Sequence, residues 1–297
     1  MSPAQRASPD GRPLNALTVD VEDWYHANVF SERPPSHHFY GNTHRIMDVL
    51  ADFGTRGTFF VLGLVAARAP KLVREIHAAG HEVQSHGYGH RLIHESTPGQ
   101  FRADLERSKK LLEDITGGEV YGYRAPAFTI AHGTLWALDV LVETGFRYDS
   151  SIFPLRTPRY GIDGAPCVPH SLRTPAGYEL KEFPVACYRV GSRRIPVGGG
   201  GYFRLLPYFI LRRGVQQLNA AGYGATVYMH PYEFDAREIR ETGPDVTWRR
   251  RVRAGLLWRH VRGRVERLLT EFRFRPIRDV LAATTNWPAH EYAQEPV

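Results

Sequence analysis

Cysteine is nearly missing. Cys167 and Cys187 are the only two in 297 residues, which excludes a disulfide framework and a thiolate zinc cluster. No apolar run approaches the roughly 20 residues that a membrane-spanning helix needs. The opening MSPAQRASPDGRPLNA holds no apolar segment of the signal-peptide kind, so no secretory leader is expected and the cytoplasm is the expected compartment. The 28 Gly and 21 Pro are scattered, which excludes a collagen-like repeat. With 42% hydrophobic and 12% aromatic residues, disorder is excluded and a large core can be buried. Acidic residues are scarce in one place. Between Trp248 and Arg267 eight Arg face a single Glu, which equals the formal net charge of +7 for the whole chain. Leu256, Leu257, Val261, Val265, Leu268 and Leu269 recur there at helical spacing, predicting an amphipathic, Arg-rich helical region. Such a region either covers the core with a solvated outer face or contacts a polyanion or an anionic membrane surface. No nucleic-acid motif accompanies it, so nucleic acid is not an expected partner.

What the chain does contain is a repeating unit: a helix, a glycine, then a short strand. THRIMDVLADFG precedes TRGTFFVLG, PKLVREIHAAG precedes HEVQSHG, and QFRADLERSKKLLEDITGG precedes EVYGYRAP. GTLWALDVLVETG precedes FRYDSSIF, and PYFILRRGVQQLNAAG precedes YGATVYMH. Each helix carries apolar residues at three- and four-residue spacing and stops at a glycine suited to a left-handed C-cap. Each strand is a short apolar run, as strands buried on both faces require. Such alternation predicts a parallel sheet with crossover helices, an α/β fold of barrel type. The stretch from about Pro154 to Pro196 breaks the rhythm and reads as an inserted excursion, with a hairpin around ELKEFPVACYRVG. GGGGYFR at 198–204 lacks the Lys-Ser/Thr of a phosphate loop, and reads as a groove-lining loop or a plain connector.

Polar residues fall where the strands end: Asp20, His86, Arg124, Asp149 and His230. One such residue is explained as a helix cap, but five on successive units point to one site on the C-terminal rim of a barrel. His86 and His90, in SHGYGH, lie four apart and can face the same way on a turn. With a carboxylate from the cluster Asp20, Glu22 and Asp23 they make a two-His, one-carboxylate set for a divalent cation with open positions. A metal polarises a carbonyl and acidifies water, but amide hydrolysis also needs a base and an acid. Asp20 suits the base and His230 the acid. Arg124 could hold Asp20 ionised, and Asp149 could do the same for His230 as an imidazolium. No Ser or Cys stands in a nucleophile-elbow context.

ALTVDVEDWY, SHGYGH, YRAPAF, YDSSIF and VYMHPYEFD, in this order, resemble the five motifs of the polysaccharide deacetylase (NodB-homology, carbohydrate esterase family 4) superfamily, and most of all its exopolysaccharide- and exosortase-associated branch. The likeness runs from about Leu17 to Phe234. It implies a distorted (β/α) barrel of about seven parallel strands, a divalent metal, usually zinc, and hydrolysis of N-acetyl groups on an amino-sugar polymer. One domain at 15–285 with a loop/hairpin insertion is then expected, between a disordered tail at 1–14 and a second tail at 286–297. Residue by residue, Asp20 matches the base, His86 and His90 the metal imidazoles, and Arg124 the base-orienting arginine. Asp149 matches the acid-tuning carboxylate and His230 the general acid, while the backbone after Pro126 would lie near the oxyanion. The family's adjacent Asp-Asp is here Asp-Val-Glu-Asp, leaving Glu22 or Asp23 as the ligand. Strand alternation favours Glu22, which returns to the face of Asp20. Gly87 stands where a hydroxyl residue usually follows the first metal His, removing one supporting hydrogen bond. Tyr228 replaces an aliphatic residue of the acetyl pocket, and Phe153 lies near where a Trp is expected. Relatives of this scaffold also act on cyclic amides, and a non-catalytic glycan-binding role is a third reading.

Overall fold

The computed structural model describes residues 13–29, 35–157, 160–235, 247–248, 258–285 and 287–292. In chain order the strands are β1 (Asn15–Val21), β2 (Thr58–Val61), β3 (Glu82–Ser85), β4 (Gly122–Tyr123), β5 (Tyr148–Asp149), β6 (His170–Arg173), β7 (Glu179–Glu182), β8 (Cys187–Val190), β9 (Arg193–Pro196), β10 (Thr226–Met229), β11 (Phe274–Arg275) and β12 (Ala289–Glu291). Seven of them lie side by side and parallel, in the order β10-β1-β2-β3-β4-β5-β7. Beyond β7, Val185 forms a parallel bridge to Thr226 of β10, so the chain returns to the opposite edge. This is the distorted (β/α) barrel anticipated above, with a ladder continuous except at the β7–β10 seam.

The helices are α1 (Trp24–Val29), α2 (His38–Asp52), α3 (Gly63–Arg68), α4 (Pro70–Ala78), α5 (Pro98–Thr116), α6 (Trp136–Glu143), α7 (Gly200–Leu205), α8 (Tyr208–Ala220), α9 (Val261–Glu271) and α10 (Ile277–Ala283). All five predicted helix-stopping glycines, Gly54, Gly80, Gly117, Gly145 and Gly222, have positive φ. The longest helix, α5, begins with a capping box in which Thr97 accepts from Gln100 N and Gln100 Oε1 accepts from Thr97 N. Its buried residues, Phe101, Leu105, Ser108 and Leu112, form one stripe laid against the sheet. Every residue of β1, β2, β3 and β10 is buried, as a sheet covered on both faces demands.

One expectation is corrected. ELKEFPVACYRVG does not fold on itself: its first part is β7, antiparallel to β6 and parallel to β5, while its second part is β8, paired with β9. The periodicity of 2 shows strands but not which strand each will pair with. The expected C-terminal tail contains β12, which lies parallel to β6. The glycines at 198–200 connect β9 to α7 and run against β10, where Tyr228 N donates to Gly198 O at 2.6 Å. A Cβ on Gly199 would stand 2.3 Å from Tyr228 O, so no side chain fits there. In the Arg-rich region, α9 buries Val261, Val265, Leu268 and Leu269, as a covering helix does. Leu256 and Leu257 lie outside the described residues. Among the described residues no helix is long and apolar enough to cross a membrane.

The two-residue strand β4 is held by contact with a ring. A Cβ on Gly122 would stand 2.1 Å from Cζ of Tyr148, the buried residue paired with it on β5. Gly122→Ala is therefore expected to destabilise the fold by overpacking, by about 1–3 kcal/mol, measured as a lower denaturation midpoint at unchanged slope.

Candidate active site

The rim where the parallel strands end gathers the residues singled out by the repeat. Asp20 is the penultimate residue of β1 and Asp149 the last of β5, whereas His86, Arg124 and His230 each follow directly on β3, β4 and β10. All are buried. Glu22 lies one residue beyond β1, where Glu22 N donates to Asp20 O and tightens the backbone into a turn. Its carboxylate faces both imidazoles, with Oε2 2.7 Å from His90 Nε2 and 3.7 Å from His86 Nε2. Asp23 is turned away. Its Oδ1 is 2.9 Å from His26 Nδ1 and its Oδ2 accepts from Ser36 N at 2.7 Å. Glu22, the carboxylate that alternation favoured, is thus the one that faces both imidazoles, although the strand has already ended.

Donor atoms of Glu22, His86 and His90 all lie within 4.8 Å of one another, a set able to hold a metal ion. Two observations fit a cation. His86 Nδ1 donates to Arg124 O at 2.8 Å, which leaves Nε2 as the ring nitrogen that faces Glu22. Glu22 Oε2 is buried and has no hydrogen-bond partner despite its close nitrogen neighbours. Burial alone would raise the Glu22 carboxyl, but His90 and His86 outweigh it and hold the group well below the ordinary carboxylate range. His90 itself sits in the left-handed region at φ 57, in a loop rather than on a helical turn.

Arg124, fully buried, ties the base candidate to the strand floor. Its Nη1 donates to Asp20 Oδ1 and to Thr18 Oγ1, each at 2.7 Å. Its Nη2 donates to Ser150 Oγ at 2.7 Å and its Nε to Ser150 O at 3.1 Å. Asp20 Oδ2, the other oxygen, is 3.9 Å from His230 Nε2, which is itself 3.5 Å from Glu22 Oε1. Phe128, Phe153 and Tyr228 pack together beside the guanidinium, so the two departures noted at 153 and 228 belong to one aromatic wall.

Asp149 is the residue whose expected contact is not formed. The carboxylate against His230 is Glu233, with Oε2 3.2 Å from Nδ1 and 3.0 Å from His230 N. Asp149 instead accepts from Ser151 Oγ, and Ser151 Oγ accepts from Ala125 N at 2.7 Å. It is paired with buried Glu182, and burial pushes both carboxyls up, Glu182 further because Asp149 lies beside it. The sequence signal for this pair is a His followed three residues later by Glu, as His230 and Glu233 stand in VYMHPYEFD. For His230, burial lowers the imidazolium, but Glu233, Glu22 and Asp20 outweigh it and raise the group above its ordinary value. After Pro126, Ala127 and Phe128 are both left-handed, at φ 51 and 55. Such consecutive non-glycine strain persists only where the surroundings enforce it.

A parallel β/α barrel with a Glu-His-His metal set and a buried Asp-Arg pair on its C-terminal rim defines a class of hydrolase-like metal sites. Residues 16–148 match the polysaccharide deacetylase family model. Residues 150–282 match a domain of unknown function (DUF3473), although both parts contribute strands to one sheet. Through the first of these the chain is similar to the polysaccharide deacetylase (NodB, CE4) family over its N-terminal 16–148 stretch, and the deacetylases of that family are metal-dependent. It is 30% identical over 139 residues to peptidoglycan deacetylase-like protein FGM2 of Gibberella zeae, covering 47% of this chain and 39% of that one. The chain thus spans well under two thirds of that relative's length. A Mycobacterium smegmatis structure assigned to the polysaccharide deacetylases superposes with TM-score 0.64 at 22% identity, covering 98% of each chain. PuuE allantoinase superposes with TM-score 0.63 at 16% identity, covering 95% of this chain and 93% of that one. At such identities the superpositions establish the fold.

Proposed function

We propose that this protein is a metal-dependent polysaccharide deacetylase that hydrolyses N-acetyl groups on amino-sugar residues of an exopolysaccharide or its precursor, leaving free amine and acetate. The observation that carries this is the convergence of Asp20, Glu22, His86, His90 and His230 on one rim of a deacetylase-family fold. Glu22, His86 and His90 would hold a divalent ion, zinc by the chemistry of the donors, which when bound polarises the carbonyl and acidifies water. Asp20 takes the proton of the attacking water through Oδ2, because Oδ1 is committed to Arg124. Arg124 keeps that carboxylate oriented. His230 delivers a proton from Nε2 to the departing amine, and Glu233 holds the proton on Nδ1. The strained turn after Pro126 is assigned to the oxyanion, and Asp149 to support of that turn through Ser151. A cavity of about 630 Å³ lined by Leu92, His94, Glu95, Ala127 and Trp136 lies beside the turn and leaves room for an extended substrate. The proposed setting is cytoplasmic, with the Arg-rich segment 248–267 towards a polyanion or the inner membrane surface. Its support is the local excess of arginine.

The test is acetate release from N-acetylhexosamine oligomers by the purified chain, with metal content measured in parallel. Turnover should vanish on chelation and return with zinc. Rapid hydrolysis of cyclic ureides with inert oligosaccharides would favour the allantoinase-like reading, which the superposition on PuuE keeps in view. The acid assignment gives a second prediction. His230 must be protonated to act, and its pKa is raised by Glu233, so activity should persist above ordinary imidazole pH and fall as pH rises through the elevated value. In Glu233→Gln that support is lost and the alkaline limb of kcat against pH should move downward. An unmoved limb would assign the proton donor elsewhere.

A further inference from the structure

The loop that carries the second imidazole ligand has almost no structure of its own. From Ser85 to His90 the sequence is SHGYGH, with Gly87 at φ 75 and His90 at φ 57. Its backbone polar groups are taken up from outside. Tyr88 N donates to Asp104 Oδ2 at 2.7 Å, and Gly89 N donates to Asp104 Oδ1 at 3.2 Å. One turn further along α5, Ser108 Oγ donates to Gly87 O at 3.1 Å and lies 2.9 Å from Ser85 Oγ. Gly63 N and Leu64 N, at the start of α3, donate to Gly87 O and Tyr88 O, each at 2.9 Å. Asp104 and Ser108, four residues apart, present one face of the capped helix α5 to the loop. The position of the missing side chain at 87 is also filled: a Cβ there would stand 2.9 Å from Asp104 Oδ2. The supporting bond that a hydroxyl residue at 87 would supply is thus absent, and a carboxylate from a distant helix occupies its space.

We infer that Asp104 is a positioning residue for metal binding: by gripping the N–H groups of Tyr88 and Gly89 it sets the left-handed turn that brings His90 onto Glu22. The inference rests on Glu22, His86 and His90 being the metal site. Asp104 touches neither ion nor substrate in this role. It lowers the disorder that the loop would have to lose on binding an ion, so its removal should appear in metal affinity rather than in the fold.

The experiment is Co²⁺ titration of the full chain and of Asp104→Asn, following visible absorption, with thermal melts of both proteins free of metal. Asn keeps the shape but sets an NH₂ group against a backbone N–H, so one of the two bonds is lost. Expected is a 10- to 100-fold weaker Co²⁺ affinity with an altered ligand-field spectrum, while the metal-free melting temperature changes little. Asp104→Ala, which loses both bonds, should weaken binding at least as much. Affinity within twofold of the parent in both variants overturns the inference. So does an affinity loss matched by collapse of the metal-free fold, since that is a structural role only. A parent chain whose Co²⁺ uptake is indifferent to His86→Ala overturns the metal site beneath the inference, a result distinct from the other two.

Discussion

Asp20→Asn should lower acetate release by about 10²–10⁴-fold, the range a positioned general base contributes. The amide keeps the shape of the side chain but cannot accept the proton of water. Metal content is the control, because Glu22, His86 and His90 are untouched and should hold their ion as before. The variant also leaves the Arg124 guanidinium without its anion, so some loss of stability accompanies the loss of rate. A variant that still folds, keeps its metal and turns over at the parent rate would remove Asp20 from the mechanism.

Arg124→Met should cost stability more than any other change at the site. The buried guanidinium makes four hydrogen bonds, to Thr18, Asp20 and both the side chain and carbonyl of Ser150. A thioether of similar length offers none, and the Asp20 carboxylate loses its guanidinium partner at 2% exposure. Breaking a buried pair from one side costs about 3–5 kcal/mol. For a chain of this size the melting temperature should fall by roughly 10 °C. Arg124→Lys should recover little, since an ammonium cannot reproduce the planar fork that spans β1 and the end of β5. The double variant Asp20→Asn/Arg124→Met should be more stable than Arg124→Met alone, because the stranded charge has gone. A single variant within about 1 kcal/mol of the parent would show that the buried pair contributes little to the fold.

What was legible in the amino-acid order was local. Helix periods and their closing glycines are properties of consecutive residues, and all five caps appear with the expected backbone sign. Polar residues at apolar strand ends were visible for the same reason, and those strand ends do converge. Partner choice was not legible. Asp149 and Glu233 are each the sort of carboxylate that could face His230, and only the path of the chain after β10 decides between them. Asp104 gave no signal at all, since an acidic residue on a charged helix looks like solvated surface until the loop is laid on it. The pairing of β7 with β5, and of β12 with β6, likewise depends on contacts that no periodicity encodes.

The place of β1 has a consequence for synthesis. It is flanked by β2 on one side and β10 on the other, and Ala16 meets Thr226 across some two hundred positions of chain. At ribosomal speeds of about 5–20 residues per second, roughly 10–40 seconds separate the emergence of the two partners. Throughout that interval β1, every residue of which is buried in the finished fold, waits with one side bare. A nascent-chain holdase is the natural guardian of such an edge, and stalling just before β10 should make the polypeptide aggregate where stalling just after it does not.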